Sequence, residues 1–425
     1  MSLRNFYFFL NKKINIYEKI YISITVLLIL ISCILSIPTD STNIGISSEN
    51  LAIGDRLFYI NESSKGYGYE GYYHGNFLFP FVLKIITFVA QIFGKDQYSQ
   101  LWNFFTILAS STLSIFTLNF LRKSTLFIFQ EKTSNIVCIL FILNPYSYFY
   151  SLSGGITNYL TFGVTFLLYL FCRSYKEGYK LTKSNLIKDN LLVNIVCVYL
   201  ASLRPTGAFV GIVILLFLFY RNLSKLVFDQ ESDPRKSFNF FINLVSIILV
   251  IINFVSVVDY AKHNLNHFIN EPGLFFGYPR DLLRTKLSLS TESLLINLKN
   301  LFYRILWKLT EFVSGLSDIR DTHAIFGEKI PANIESILPF IARTVTGIFI
   351  LYPINILCFF GLISNRKVIF YSEIWILLFA CFIGISPSLL GIANSRFLLM
   401  VYTPFMIFGA NTIHKLFRSN NEINI

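Results

Sequence analysis

The sequence predicts an all-α polytopic membrane protein with about ten transmembrane helices, an outer interfacial helix and one large outer loop. Three observations predict it. Apolar residues make up 54% of the 425-residue chain and charged residues only 14%, whereas soluble domains carry about 25% charged residues. The mean hydropathy is +0.58. Lysines and arginines, finally, recur between apolar runs at intervals that fit one side of a membrane.

The runs at 18–37, 100–120, 134–150, 156–172, 189–203, 206–221, 238–258, 336–361, 372–391 and 396–414 approach the roughly 20 apolar residues that cross a hydrocarbon core. The first follows Arg4, Lys12, Lys13 and Lys19, and "SIPTDS" is a poor small-x-small cleavage site, so it reads as a retained signal-anchor helix. The basic residues of 1–19, 121–135, 173–190, 221–237, 362–371 and the tail, among them Arg122, Lys123, Arg173, Lys176, Arg221, Arg366, Lys367 and Lys415, are expected on the cytoplasmic side. That alternation holds only if the further apolar stretch 77–94, with Pro80, Lys84 and Gln91, lies at the outer interface instead of crossing. Both termini are then cytoplasmic. Three parts follow: a membrane module over 1–258 with its first outer loop at 38–99, an outer loop at 259–335 with short helices, and C-terminal membrane helices over 336–425.

A net charge of +12 would suggest nucleic acid in a soluble protein. Here the basic residues sit in short loops, not on polar helix faces, so no nucleic-acid partner is expected; the bilayer's own lipids are. Cys33, Cys138, Cys172, Cys197, Cys358 and Cys381 all lie in or beside apolar runs without metal-ligand spacing and read as small hydrophobes. His263 and His267 would share a helix face, but no third ligand matches them. No resident metal or organic cofactor is expected, and the door stays open to a divalent cation.

The stretch "LAIGDRLFYINESSKGYGYEGYYHGNFLFPF", residues 51–81, sets an acid, Asp55, early in the first outer loop. Arg56 adjoins it, Tyr59 follows at i+4, and the chain runs through Gly66-Tyr67 and His74 to an apolar, proline-bearing segment. The plain alternative is a solvated interfacial acid beside an arginine. Further along stand "LNPYSYFYSLSGGITNYLTF" (143–162), "LASLRPTGAFVG" (200–211) and "NSRFLLMVYTPFMIFGA" (394–410).

In this order the four segments resemble the GT-C superfamily of membrane glycosyltransferases, and within it the mannosyltransferases of GPI-anchor assembly and their bacterial relatives. The resemblance covers most of 18–221 and the C-terminal helix. It implies that Asp55 is the catalytic base, taking the proton from an acceptor hydroxyl as that oxygen attacks the anomeric carbon. It implies a polyprenyl-phosphate-linked sugar donor, no cofactor, and an acceptor that is a glycan, lipid or protein at the outer face. The departing phosphate needs a cation, and Arg204 in the "RPTG" turn and Arg396 at the start of the last helix are the candidates. Each has the alternative of snorkelling to the headgroups. Arg56, Tyr59, His74, Asn158 and the outer-loop cluster Arg320, Asp321 and His323 are candidate substrate contacts, with surface solvation as the plain reading. Where many relatives carry an acid after the Asn-Pro segment, this chain has Thr157-Asn158; an amide hydrogen-bonds a sugar but takes no proton.

Two other functions share the topology. A lipid-glycan flippase needs charged residues at mid-membrane and broken helices in matching halves; a polysaccharide polymerase would lean on outer-loop arginines. The abundance of Asn, Ile, Lys and Phe suggests AT-rich coding, hence a bacterial inner membrane.

Overall fold

The computed structural model describes residues 15–35, 78–95, 100–177, 186–228, 234–253, 349–350, 352–371, 373–390 and 396–423. Among them every regular element is helical. In chain order these are α1 (Ile16–Leu35), α2 (Leu78–Ile92), α3 (Gln100–Ile128), α4 (Glu131–Leu143), α5 (Pro145–Ser153), α6 (Ile156–Lys176), α7 (Leu186–Leu203), α8 (Pro205–Phe228), α9 (Pro234–Ile252), α10 (Tyr352–Ser364), α11 (Arg366–Tyr371), α12 (Ile374–Leu390) and α13 (Arg396–Ile423). Three segments, Phe104–Ile128, Ile156–Lys176 and Thr206–Ser224, are long and apolar enough to cross a membrane, and five shorter apolar helices accompany them. The protein is therefore helical with membrane-helix character.

Several expected boundaries shift, each for a physical reason. Helix α3 continues to Ile128, eight residues past the apolar run read from sequence, because hydropathy marks the lipid-immersed part of a helix and not its end. Arg122, Lys123 and Lys132 accordingly lie on helices, with only Phe129 and Gln130 between α3 and α4. The run 134–150, read as one helix, is two. Pro145 has no N–H to donate, and Asn144 before it is extended, at φ −78° and ψ 109°, as the residue preceding a proline prefers. Ser147 closes the break: its hydroxyl lies 3.0 Å from Phe141 O and 2.7 Å from Asn144 O. A hydroxyl that takes up freed carbonyls is how an interrupted helix survives away from water. Gly154, at φ +63°, ends α5 in the left-handed region where a side chain would be strained.

The core is built on two close pairs, α3 with α6 and α7 with α8; α13 closes over α4 and α6 and pairs with α10, while α9 and α12 flank α8. Small residues let the backbones approach. A Cβ on Gly361 of α10 would stand 2.4 Å from the Phe408 carbonyl carbon of α13, and one on Gly409 would stand 3.0 Å from Cys358. Cys138, Cys172, Cys197, Cys358 and Cys381 are buried and unbridged. Large apolar side chains on the outside, such as Phe88, Leu216 and Phe379, suit a lipid surround.

The polar contacts gather helix termini at one end of the bundle. Glu18 at the start of α1 accepts from Arg122 Nε and Asn119 Nδ2 of α3, both at 2.9 Å. Arg173 at the end of α6 pairs with Asp189 near the start of α7, and Arg221 of α8 with Glu373 just before α12. Thr133 of α4 meets His414 of α13 at 2.9 Å, and Asn365 between α10 and α11 accepts from Asn411 at 2.6 Å and from Lys415 at 3.0 Å. Asn194 donates to Asn243 at 2.7 Å, joining α7 to α9. Arg122, Arg173, Arg221 and Lys415, which the charge bias groups together, all take part in these contacts. One inverted helix would separate its pair by most of the ~30 Å hydrocarbon core.

Glu18 is 3% exposed and Arg122 15%, so removing one leaves the other charged and poorly solvated. Glu18→Ala is expected to destabilise the protein by about 3 kcal/mol, read as thermal unfolding in detergent. The Glu18→Ala/Arg122→Ala double variant should lose less than the sum of the single losses; additive losses would show that the pair does not couple α1 to α3.

Candidate functional site

The opposite end holds Arg204, the one of the two candidate phosphate-binding arginines whose side chain the structure describes. Arg204 separates α7 from α8. It lies fifteen residues beyond Asp189, or about 22 Å along a helix, and so at the far end from the ion-paired termini. It is 5% exposed. The local sequence explains its position. Pro205 occupies the first turn of α8, where a missing N–H does no harm. The Arg204 N–H lies 3.4 Å from Leu200 O, and the Ala208 N–H donates to Arg204 O at 3.1 Å, so the backbone turns without a gap in its hydrogen bonding.

Gly207 and Gly211, spaced four apart, press α8 onto α7. A Cβ at Gly207 would lie 2.1 Å from Leu200 O, and one at Gly211 would lie 2.7 Å from Cys197 O. A Cβ on Gly163 of α6 would lie 2.6 Å from Leu200 Cδ2 on the other side, and one on Gly384 of α12 would lie 2.9 Å from Thr206 O. Four helices thus clamp the Arg204-Pro205-Thr206 turn through glycine contacts. The Thr206 side chain is fully buried, and its hydroxyl has no hydrogen-bond partner among the described residues. Arg204 therefore sits on a rigid support at the N-terminus of a 24-residue helix, where the helix dipole favours an anion.

Arg396 is the first residue of α13. It lies eighteen residues, or about 27 Å, before His414, whose ring meets Thr133 at the ion-paired end. The backbone thus brings Arg204 and Arg396 to the same end of the bundle. Asp55, Arg56, Tyr59, His74, Arg320, Asp321 and His323 lie outside the described residues, as do His263 and His267. Among the described residues no group of three or more His, Cys, Asp or Glu side chains could hold a metal ion.

Asn158 near the start of α6 is 2% exposed. Its amide nitrogen is 3.1 Å from Ser110 Oγ, 3.4 Å from Ser110 O and 3.1 Å from Ser151 Oγ. The donors that sequence reasoning offered to an acceptor sugar tie α6 to α3 and α5. They belong to a buried hydroxyl seam that the sequence reading passed over. In it Tyr21 OH meets Ser114 Oγ at 2.6 Å, and Ser110 and Ser111 of α3 reach Tyr150 O and Ser151 O of α5 at 3.2 and 3.5 Å. Its signal was present: three serines within five residues of an apolar helix, 110–114, and a second set at 147–153. Side chains of this kind join helices where lipid offers no other partner.

Helix α2 lies at the Arg204 end. Phe79 packs edge-on to Tyr159, the fourth residue of α6, with ring centroids 5.4 Å apart. One helical face further on, Thr87 accepts from Trp102 Nε1, the third residue of α3, at 3.0 Å. Its inner face is Phe79, Leu83, Ile86 and Ala90; Phe81, Ile85, Phe88 and Ile92 face outward. Its 15 residues measure about 22 Å. No protein family, no curated protein and no solved structure matches this chain.

Proposed function

We propose that the chain is an inverting membrane glycosyltransferase that moves a sugar from a polyprenyl-phosphate donor to an acceptor hydroxyl on the extracytosolic face. The observation that carries this reading is Arg204: an arginine 5% exposed, in a turn that glycine contacts among four helices hold close, at the bundle end away from the clustered basic termini. An arginine held at a helix N-terminus suits a phosphate, and in this reading the donor's phosphate is the anion. Asp55, delivered by the first outer loop, removes the acceptor's proton as the acceptor oxygen bonds to the anomeric carbon. The bond from that carbon to the phosphate oxygen breaks, and the electron pair leaves with the lipid phosphate, whose charge Arg204 and Arg396 hold. The interfacial placement of 77–94 is supported by the contacts of α2 with the starts of α3 and α6, through Trp102 and Tyr159, although it also packs on α7. The count of ten spans, both termini at the basic side, and the bacterial inner membrane belong to the same reading.

A flippase or polymerase competes with it. The interruption of α4 and α5 at Asn144-Pro145 is the kind of feature a transporter uses. Ser147 closes that interruption internally, however, and the described ion pairs all sit at one end, leaving neutral hydroxyls along the seam.

The test is reconstitution of the full-length protein with an acceptor extract and either a polyprenyl-phosphate sugar or a nucleotide sugar. Transfer from the lipid-linked donor alone, with release of polyprenyl phosphate and inverted anomeric configuration, is the expected result. Transfer from the nucleotide sugar alone, or movement of the lipid-linked sugar across the bilayer without bond cleavage, would overturn the proposal.

A further inference from the structure

We propose that the seam between α3 and α6 binds an anionic phospholipid in the leaflet at the basic end of the bundle, apart from the Arg204 site. On α3, Phe116, Phe120, Lys123 and Phe127 follow one another at helical spacing, and Phe162, Phe166, Tyr169, Arg173 and Lys176 do so on α6; each set lines one helix face. The rings pave a continuous surface. Phe162 stacks on Phe166 with centroids 6.1 Å apart at 6°, and Phe166 on Tyr169 at 6.0 Å and 8°. Phe120 bridges from α3, 4.8 Å from Phe166 and 5.0 Å from Tyr169, and Phe127 lies 5.6 Å from Tyr169.

The surface is outward-facing, because these rings are half-buried and Phe116 is 50% exposed. From Phe162 to Lys176 it runs about 21 Å along the helix axis, enough to reach from mid-bilayer past the edge of one leaflet, whose hydrocarbon is about 15 Å deep.

Cations stand at its lower end, each against a ring. Lys123 Nζ is 5.8 Å from the Phe120 centroid, Lys176 Nζ 5.4 Å from Phe127, and Arg173 Cζ 5.7 Å from Tyr169. Arg173 is committed to Asp189, and Glu177, exposed, follows α6. Among the described residues this end of the strip thus gathers Lys123, Arg173 and Lys176 beside Asp189 and Glu177. A strip of rings ending in ammonium groups matches a lipid that is apolar along its length and anionic at its head. A cation at a helix C-terminus needs no lipid to explain it. What singles out this pair is that both lysines converge on the same ring-paved strip.

The test measures lipid retained by the full-length protein after detergent delipidation, by native mass spectrometry, with phosphatidylglycerol and phosphatidylcholine as probes. Wild type is expected to keep phosphatidylglycerol preferentially and to gain more thermal stability from it. Lys123→Gln/Lys176→Gln should hold it about 30-fold more weakly, at the usual increment per basic residue near a charged headgroup. Arg366→Gln/Lys367→Gln, which removes two exposed cations of the same end outside the strip, should retain it. Phe120→Leu/Phe166→Leu should lose retention with both lysines in place. Equal retention of the two lipids by wild type, an unchanged Lys123→Gln/Lys176→Gln variant, or an equal loss in the Arg366→Gln/Lys367→Gln control would each overturn the proposal.

Discussion

Asp55→Asn in the reconstituted full-length protein is expected to lower sugar transfer by about 10²–10⁴-fold, the usual contribution of a positioned general base, while yield, monodispersity and donor binding stay at wild-type values. The substitution keeps the size and polarity of the side chain and removes only its ability to accept a proton. An acceptor hydroxyl is a poor nucleophile until its proton has somewhere to go, and the described residues offer no substitute carboxylate at the Arg204 end. Asn158, where relatives of the suggested family often carry an acid, is an amide whose donors are already engaged by Ser110 and Ser151. The loss should therefore fall on kcat, with KM for the donor little changed. Transfer at the wild-type rate would reject Asp55 as the base and would favour the polymerase alternative.

Arg204→Gln is expected to reduce kcat/KM for the lipid-phosphate donor by about 10²–10³-fold, as losing one preorganised charge-stabilising group typically does. Arg204→Lys should recover part of that, since it restores the charge but not the planar fork that grips two phosphate oxygens. The pattern separates catalysis from snorkelling. An arginine that merely reaches the headgroups tolerates both substitutions, and one that only holds α7 against α8 shows equal losses for both, together with a lower melting temperature. The clamp around it argues that its backbone needs no such help: Gly207 and Gly211 meet Leu200 O and Cys197 O directly.

The sequence disclosed the helical class and the approximate place of nearly every described helix. Those traits follow from hydropathy, which is one-dimensional. It disclosed less wherever three-dimensional contact decides. The break at Asn144 was signalled by the Asn-Pro step, yet the run around it is apolar on both sides, and only the Ser147 hydroxyl shows how the chain tolerates it. The Gly207–Gly211 spacing was visible as letters, but its partner carbonyls on α7 were not. Glu18 reads as one more charge beside a basic N-terminus until α3 brings Asn119 and Arg122 to it. Of the candidate site, the sequence marked Arg204 and Arg396, and the helices bring both to one end; Asn158 was marked as well, and its amide is taken up by helix packing.

The account rests on a carboxylate and a guanidinium sharing one rim of the bundle. Proximity cross-linking of the Asp55→Cys/Arg204→Cys double variant with a short bifunctional maleimide, beside an Asp55→Cys/Lys176→Cys control, tests this most directly. The predicted result is an intramolecular cross-link in the first variant and none in the second. A cross-link in the control and none in the Asp55→Cys/Arg204→Cys protein would place the two groups at opposite ends of the bundle and contradict the proposed mechanism.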